Sequence, residues 1–134
     1  MNYTVSYQGN LRTESTHLQS GTTVITDAPT DNNGKGETFS PTDLVSSGLA
    51  SCMMTIVGIA AEKREIEIDE MRAEVTKKMA SSPRRIETIS ITLYISVQNL
   101  SDNHRTVLLN AAKTCPVALS LHPELNQELE VIFN

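Results

Sequence analysis

The chain has 134 residues, a length that supplies one hydrophobic core and predicts a single domain over residues 1–134. Its formal charge of −5 and pI near 5.1 argue against nucleic acid as a partner, because neutralising phosphates takes a basic face. Residues Met1 to Gln8 contain no apolar signal core and the longest uncharged apolar run, Met53 to Ala61, is too short to cross a bilayer, so a soluble, cytoplasmic protein with no membrane partner is expected.

Tyr3 to Tyr7 and Leu11 to Leu18 read as two short strands around the turn formers Gly9 and Asn10, and Thr22 to Thr26 as a third. The run Ala28 to Gly36, crowded with Pro, Asp, Asn and Gly, reads as a surface loop and a candidate lid or rim. From Pro41 the period changes. Leu44, Val45, Leu49, Cys52, Met53, Ile56, Val57 and Ala60 recur three and four apart, the spacing of one helical face, which predicts a long helix running to about Glu65. Ser40 is the expected N-cap and Pro41 the first helical residue, with Asp43 in the first turn, where the peptide dipoles favour negative charge. Gly48, Ala50 and Ser51 keep the helix slim near Cys52, so that a second backbone could approach it there. Met71 to Met79 and Ile86 to Val97 predict two strands joined through Ala80 to Arg84, the second alternating so regularly that one face is expected to be buried. Ser101 and Asp102 open a helix with Val107, Leu108, Ala111 and Ala112 on one face, ending near Lys113. A short helix begins at Cys115 and Pro116 and stops by Pro123, and Leu129 to Phe133 forms the last strand. The order βββ-α-ββ-αα-β gives an α+β domain with sheets packed around a central helix.

Cys52 and Cys115 are the only cysteines. In a reducing cytoplasm two cysteines outside a Cys-x-x-Cys motif are seldom a structural staple, and a cycling, catalytic disulfide is the usual exception. Each also has an inert reading: Cys52 lies on the apolar stripe, where a free cysteine packs as a small hydrophobe, and Cys115 can serve as a packing residue at a helix end. Against that, Pro116 at the first helical position puts the Cys115 sulfur at the N-cap, beside unpaired N–H groups that favour thiolate. If the two helical segments pack together, the thiols can open and close a disulfide. His17, His104 and His122 lack metal-ligand spacing and no motif indicates a nucleotide or flavin, so neither metal nor cofactor is expected. Lys77, Lys78, Arg84 and Arg85 read as a solvated hairpin tip.

The segment Phe39 to Met53, with Ser40-Pro41 at its start and Cys52 near its end, followed 63 residues after that cysteine by Cys115-Pro116 within Ala111 to Val117, resembles the OsmC/Ohr family of osmotically inducible and organic hydroperoxide resistance proteins. The resemblance covers nearly the whole chain and is that of a divergent member. It implies an OsmC-like fold: antiparallel sheets wrapped around a long central helix, in an intertwined homodimer with active sites at the subunit interface. It also implies a thiol peroxidase acting on alkyl or fatty-acid hydroperoxides, with Cys52 as the peroxidatic thiolate that becomes a sulfenic acid and Cys115 as the thiol that resolves it to a disulfide. Electrons would come from a dithiol reductant, a lipoylated protein in the better-known members. In the family's peroxidases the thiolate is held by an Arg from the N-terminal sheet and a Glu of an Asn-Pro-Glu motif at the helix start. Arg12 aligns with that Arg. The motif reads Ser40-Pro41-Thr42 here, so Thr42 stands at the Glu position and Asp43 is the nearest acid, similar to a Ser-Pro-x-Glu variant in less characterised branches. This departure leaves a second expectation open, an OsmC-like dimeric binding or stress-response module with weak or no peroxidase activity.

Overall fold

A computed structural model describes all of residues 1–134. The elements are β1 (Tyr3–Gly9), β2 (Arg12–His17), β3 (Thr23–Asp27), α1 (Pro41–Lys63), β4 (Ile68–Ala80), β5 (Arg85–Val97), α2 (Asp102–Lys113), α3 (Pro116–Ser120) and β6 (Asn126–Phe133), an α+β chain as expected. It divides along the sequence into two compact units, Met1–Val45 and Ser46–Asn134.

In the first unit β1, β2 and β3 form an antiparallel meander. Gly9 pairs with Arg12 across the first hairpin, leaving Asn10 and Leu11 as a two-residue turn at φ +53° and +64°. Left-handed backbone at both central positions matches the twist of the flanking strands. Asn adopts it at little cost and a leucine does not, which is why the sequence places this turn one residue too early. The following loop holds a single 3-10 turn at Thr30–Asn32. It folds back so closely at Gly34 that any Cβ there would overlap the Ala28 carbonyl oxygen.

The start of α1 is fixed by a reciprocal cap. The Asp43 N–H donates to Ser40 Oγ at 3.1 Å and the Ser40 N–H donates to Asp43 Oδ2 at 2.9 Å, a capping box with Asp in the acidic position. The helix ends where Glu65 turns left-handed at φ +55°. Ile66 N–H then donates to Ala61 O at 2.9 Å and Glu65 N–H to Glu62 O at 3.2 Å, the Schellman pattern that satisfies the last carbonyls.

The second unit is built on β5. Ile89, Ile91, Leu93 and Ile95 alternate onto one buried face, covered by Leu49, Met53, Val57 and Ala61 of α1 and by Leu108 and Ala112 of α2. Burying each of the large side chains contributes roughly 1.5–3 kcal/mol. The buried stripe of α1 is rotated slightly from the expected face: Ser46, Ala50 and Ala61 are inside, whereas Val45 is exposed and Cys52 only half-buried. Gly48 is not approached by any backbone of this chain, since a Cβ there would meet nothing within 4 Å. Taken as a 23-residue helix, α1 has the length and composition to cross a membrane, a property shared by core helices of soluble proteins, and its Leu49-Met53-Val57 stripe is packed on β5.

The expectation of antiparallel sheets needs one correction. β4 and β5 are antiparallel, but β6 runs parallel to β5, from Thr88↔Asn126 to Ile95↔Phe133, so this sheet is mixed. The reason is topological: α2 and α3 intervene between the two strands and carry the chain back to the end of the sheet where β5 began, the crossover that a parallel pair requires. β4 begins at Ile68, earlier than its alternation suggests, because the register shifts between Ile68 and Glu70 and a bulge breaks the period of two.

Candidate active site

Cys52 and Cys115 meet in the second unit. Cys52 lies midway along α1, half-buried and packed against the hydrophobic cluster. Cys115 is the N-cap of α3 and is 0 % exposed. Its backbone is extended at φ −66°, ψ 149°, Pro116 follows as the first helical residue, and its Sγ accepts a hydrogen bond from the Ala118 N–H at 3.3 Å. This is the N-cap arrangement that the Cys-Pro pair predicts. Both side chains are free thiols, and the Cys52 thiol is near enough to interact with that of Cys115.

Burial pushes the Cys115 thiol above its ordinary ionisation range; the Ala118 N–H opposes this and the neighbouring Cys52 adds to it. The dipole at the start of α3 therefore does not prevail over desolvation, and at neutral pH Cys115 is held as the protonated thiol. Access is unequal as well. A reagent arriving from solvent meets the half-buried Cys52 before the fully buried Cys115. Such a pair can oxidise sequentially, the accessible sulfur first and the buried one in a second, intramolecular step.

Arg12 and Asp43 belong to the first unit. The Arg12 guanidinium makes a two-pronged pair with Asp27, Nε to Oδ1 at 2.7 Å and Nη2 to Oδ2 at 2.8 Å, and Nη2 also reaches Glu37 Oε2 at 3.3 Å. The Glu37 N–H donates to Asp27 Oδ2 at 3.2 Å. Asp27 is 2 % exposed, so its charge is removed from water and matched by a fork of fixed geometry. Asp43 caps α1 through Ser40, and the Thr42 hydroxyl lies 3.2 Å from Ser40 Oγ. Asp27 was missed by sequence reasoning, although a signal existed. It is an acid closing a β-branched strand, and correct pairing of β2 with β3 sets it opposite Arg12.

The Arg12 pair holds the Asp27 carboxyl below its ordinary value of 3.8. A carboxyl lowered in the folded state adds stability that is present above its unfolded value and lost as pH falls through the folded one. Wild type is therefore expected to lose stability below about pH 4, while Asp27→Asn starts less stable at pH 7 and loses less over the same acid range. Urea unfolding of both proteins between pH 2.5 and 7 checks this, and parallel curves for the two would refute it.

A cavity of about 360 Å³ is lined by Glu65, Ile66, Glu67, Asp69, Val97 and His104 among others and includes neither cysteine. The thiol pair lies outside this cavity.

Residues 34–130 match the family of OsmC-like proteins. Among solved structures, a Psychrobacter arcticus protein provisionally assigned as an osmotic stress induced and detoxification response protein is 50% identical, covers 100% of this chain and 96% of its own, and has a TM-score of 0.86. An organic hydroperoxide resistance protein OsmC of Legionella pneumophila has a TM-score of 0.73 at 16% identity, covering 98% of this chain and 97% of its own. The organic hydroperoxide resistance protein OhrB of Bacillus subtilis has a TM-score of 0.64 at 22% identity, covering 100% and 98%. The latter two likenesses show the fold. No curated protein matches the chain.

Proposed function

The chain belongs to the OsmC-like protein family, and on that footing we propose that it is a thiol-dependent peroxidase that reduces organic hydroperoxides through Cys52 and Cys115. The Cys52 thiolate attacks the peroxide O–O bond; sulfur takes the hydroxyl as a sulfenic acid, and the alkoxide leaves and is protonated to the alcohol. Cys115 then attacks the Cys52 sulfur, the S–O bond breaks, and the departing hydroxide takes the thiol proton to leave as water. A dithiol reductant, for which a lipoylated protein is proposed, exchanges with the disulfide and restores both thiols. The setting proposed is a cytoplasmic homodimer. Arg12 enters as the cation favouring the thiolate, and Asp43 as the acid near the helix start, through the family resemblance alone.

The observation that carries this reading is the thiol pair itself: a half-buried Cys52 beside a fully buried, N-capping Cys115. Apolar surroundings support the substrate class. Cys52 is packed against the hydrophobic cluster, with Met54 and Ile56 also half-buried against it, and such a lining favours an alkyl peroxide over hydrogen peroxide. The test is steady-state consumption of cumene hydroperoxide and of hydrogen peroxide with reduced lipoamide as electron donor. The expected result is turnover of both with a preference of about tenfold or more for the organic peroxide. Consumption no faster than in the absence of protein would overturn the reading and leave the ligand-binding module as the better one.

A further inference from the structure

We propose that Gln127 is a positioning residue for Cys115, acting through Ala118; the inference deepens the peroxidase reading above and rests on it. Helix α3 has only five residues, Pro116–Ser120, too few to be stable by its own hydrogen bonds. The carbonyls from Cys115 to Ala118 nevertheless all have partners. Cys115 O accepts from Leu119 N–H at 3.1 Å, Pro116 O from Ser120 Oγ at 2.7 Å, and Val117 O from Leu121 N–H at 3.2 Å. Ala118 O has its partner outside the segment, accepting from Gln127 Nε2 at 3.0 Å. The other side of the same residue, Ala118 N–H, donates to Cys115 Sγ. Ala118 thus links the Cys115 sulfur to a side chain on β6, and Gln127 is paired in register with Ile89, a fully buried residue of β5. Through this bond the sheet sets where α3 sits and so where the Cys115 thiol points.

Disulfide formation has narrow geometric requirements, with an S–S bond of about 2.05 Å and a Cβ–Cβ separation near 3.8 Å. A thiol held beside its partner reacts at high effective concentration, and one on a loosened turn spends less time in range. Gln127 therefore acts on the step in which Cys115 closes on Cys52, and not on the attack of Cys52 on peroxide.

The experiment compares wild type with Gln127→Met, which keeps length but has no donor, and Gln127→Lys, which keeps a donor at similar reach. Cys52 sulfenic acid is followed by dimedone trapping and disulfide closure by quenched-flow mass spectrometry, after cumene hydroperoxide and, separately, after diamide. Diamide accepts two electrons and two protons from the thiols to become a hydrazine, so it closes the disulfide without any peroxide reaction. In the Met variant sulfenic acid is expected to form at the wild-type rate while closure slows about three- to tenfold with either oxidant, and the Lys variant is expected to recover most of that loss. Closure by Gln127→Met at the wild-type rate would overturn the inference, as would equal slowing of sulfenic acid formation or failure of Gln127→Lys to recover. A wild type that ignores peroxide would instead overturn the peroxidase reading, with the diamide rates still deciding the role of Gln127.

Discussion

Cys52→Ser is expected to abolish peroxide turnover, lowering the rate by a thousandfold or more, on the order of what removing an enzyme's nucleophile costs. A serine hydroxyl is not ionised near neutral pH, and the chemistry needs an anion able to attack the O–O bond. Cys115 cannot substitute, since it is fully buried and burial keeps it protonated. Cys115→Ser is expected to behave differently. Its Cys52 still reacts with one equivalent of cumene hydroperoxide, but the sulfenic acid persists, trappable with dimedone, until an external thiol removes it. The two variants together test the division of labour. If Cys52→Ser kept turning over while Cys115→Ser did not react at all, the roles assigned from exposure and position would be reversed.

The second large effect concerns the fold that holds the pair. Leu93 is 0 % exposed at the middle of β5, between Ala73 of β4 and Val131 of β6. Truncating it leaves a cavity lined by side chains of α1 and β5 that close packing keeps from collapsing. Leu93→Ala is expected to cost about 3 kcal/mol and to lower the melting temperature on the order of 10 °C for a chain of this size. Leu119→Ala is the control. Leu119 is 72 % exposed on α3, and its loss is expected to change stability by about 0.5 kcal/mol or less. Calorimetric melts of both variants decide the matter; a shift for Leu93→Ala no larger than that of the control would mean that β5 is not the centre of the core.

Much of this architecture is legible in the residue pattern. β5 was legible because its alternation is unbroken and one face is wholly apolar. α1 was legible because capping chemistry at Ser40, Pro41 and Asp43 coincides with a change of period. The Cys115-Pro116 pair gave both the start of α3 and the position of its sulfur. Other features depend on pairing across the chain. The direction of β6 is set by how the crossover returns, which no local pattern encodes, and its polar opening residues Asn126 and Gln127 conceal that it begins before Leu129. The acid that engages Arg12 follows the same rule. No helix or strand period marks Asp27 as its partner; strand register sets the two opposite each other, while Asp43 takes part in the capping box its place after Ser40 and Pro41 suggests. Gln127 was invisible for a related reason, since its significance lies in the Ala118 carbonyl, which finds its partner outside a five-residue helix.

The most direct test of the Cys52–Cys115 chemistry is the intact mass of fully reduced protein before and after one equivalent of cumene hydroperoxide, with both cysteine variants alongside. Rapid loss of two hydrogens in the wild type, absent from Cys52→Ser and Cys115→Ser, is the expected result. A mass that stays unchanged, or that gains oxygen and never loses two hydrogens, would contradict the two-cysteine mechanism.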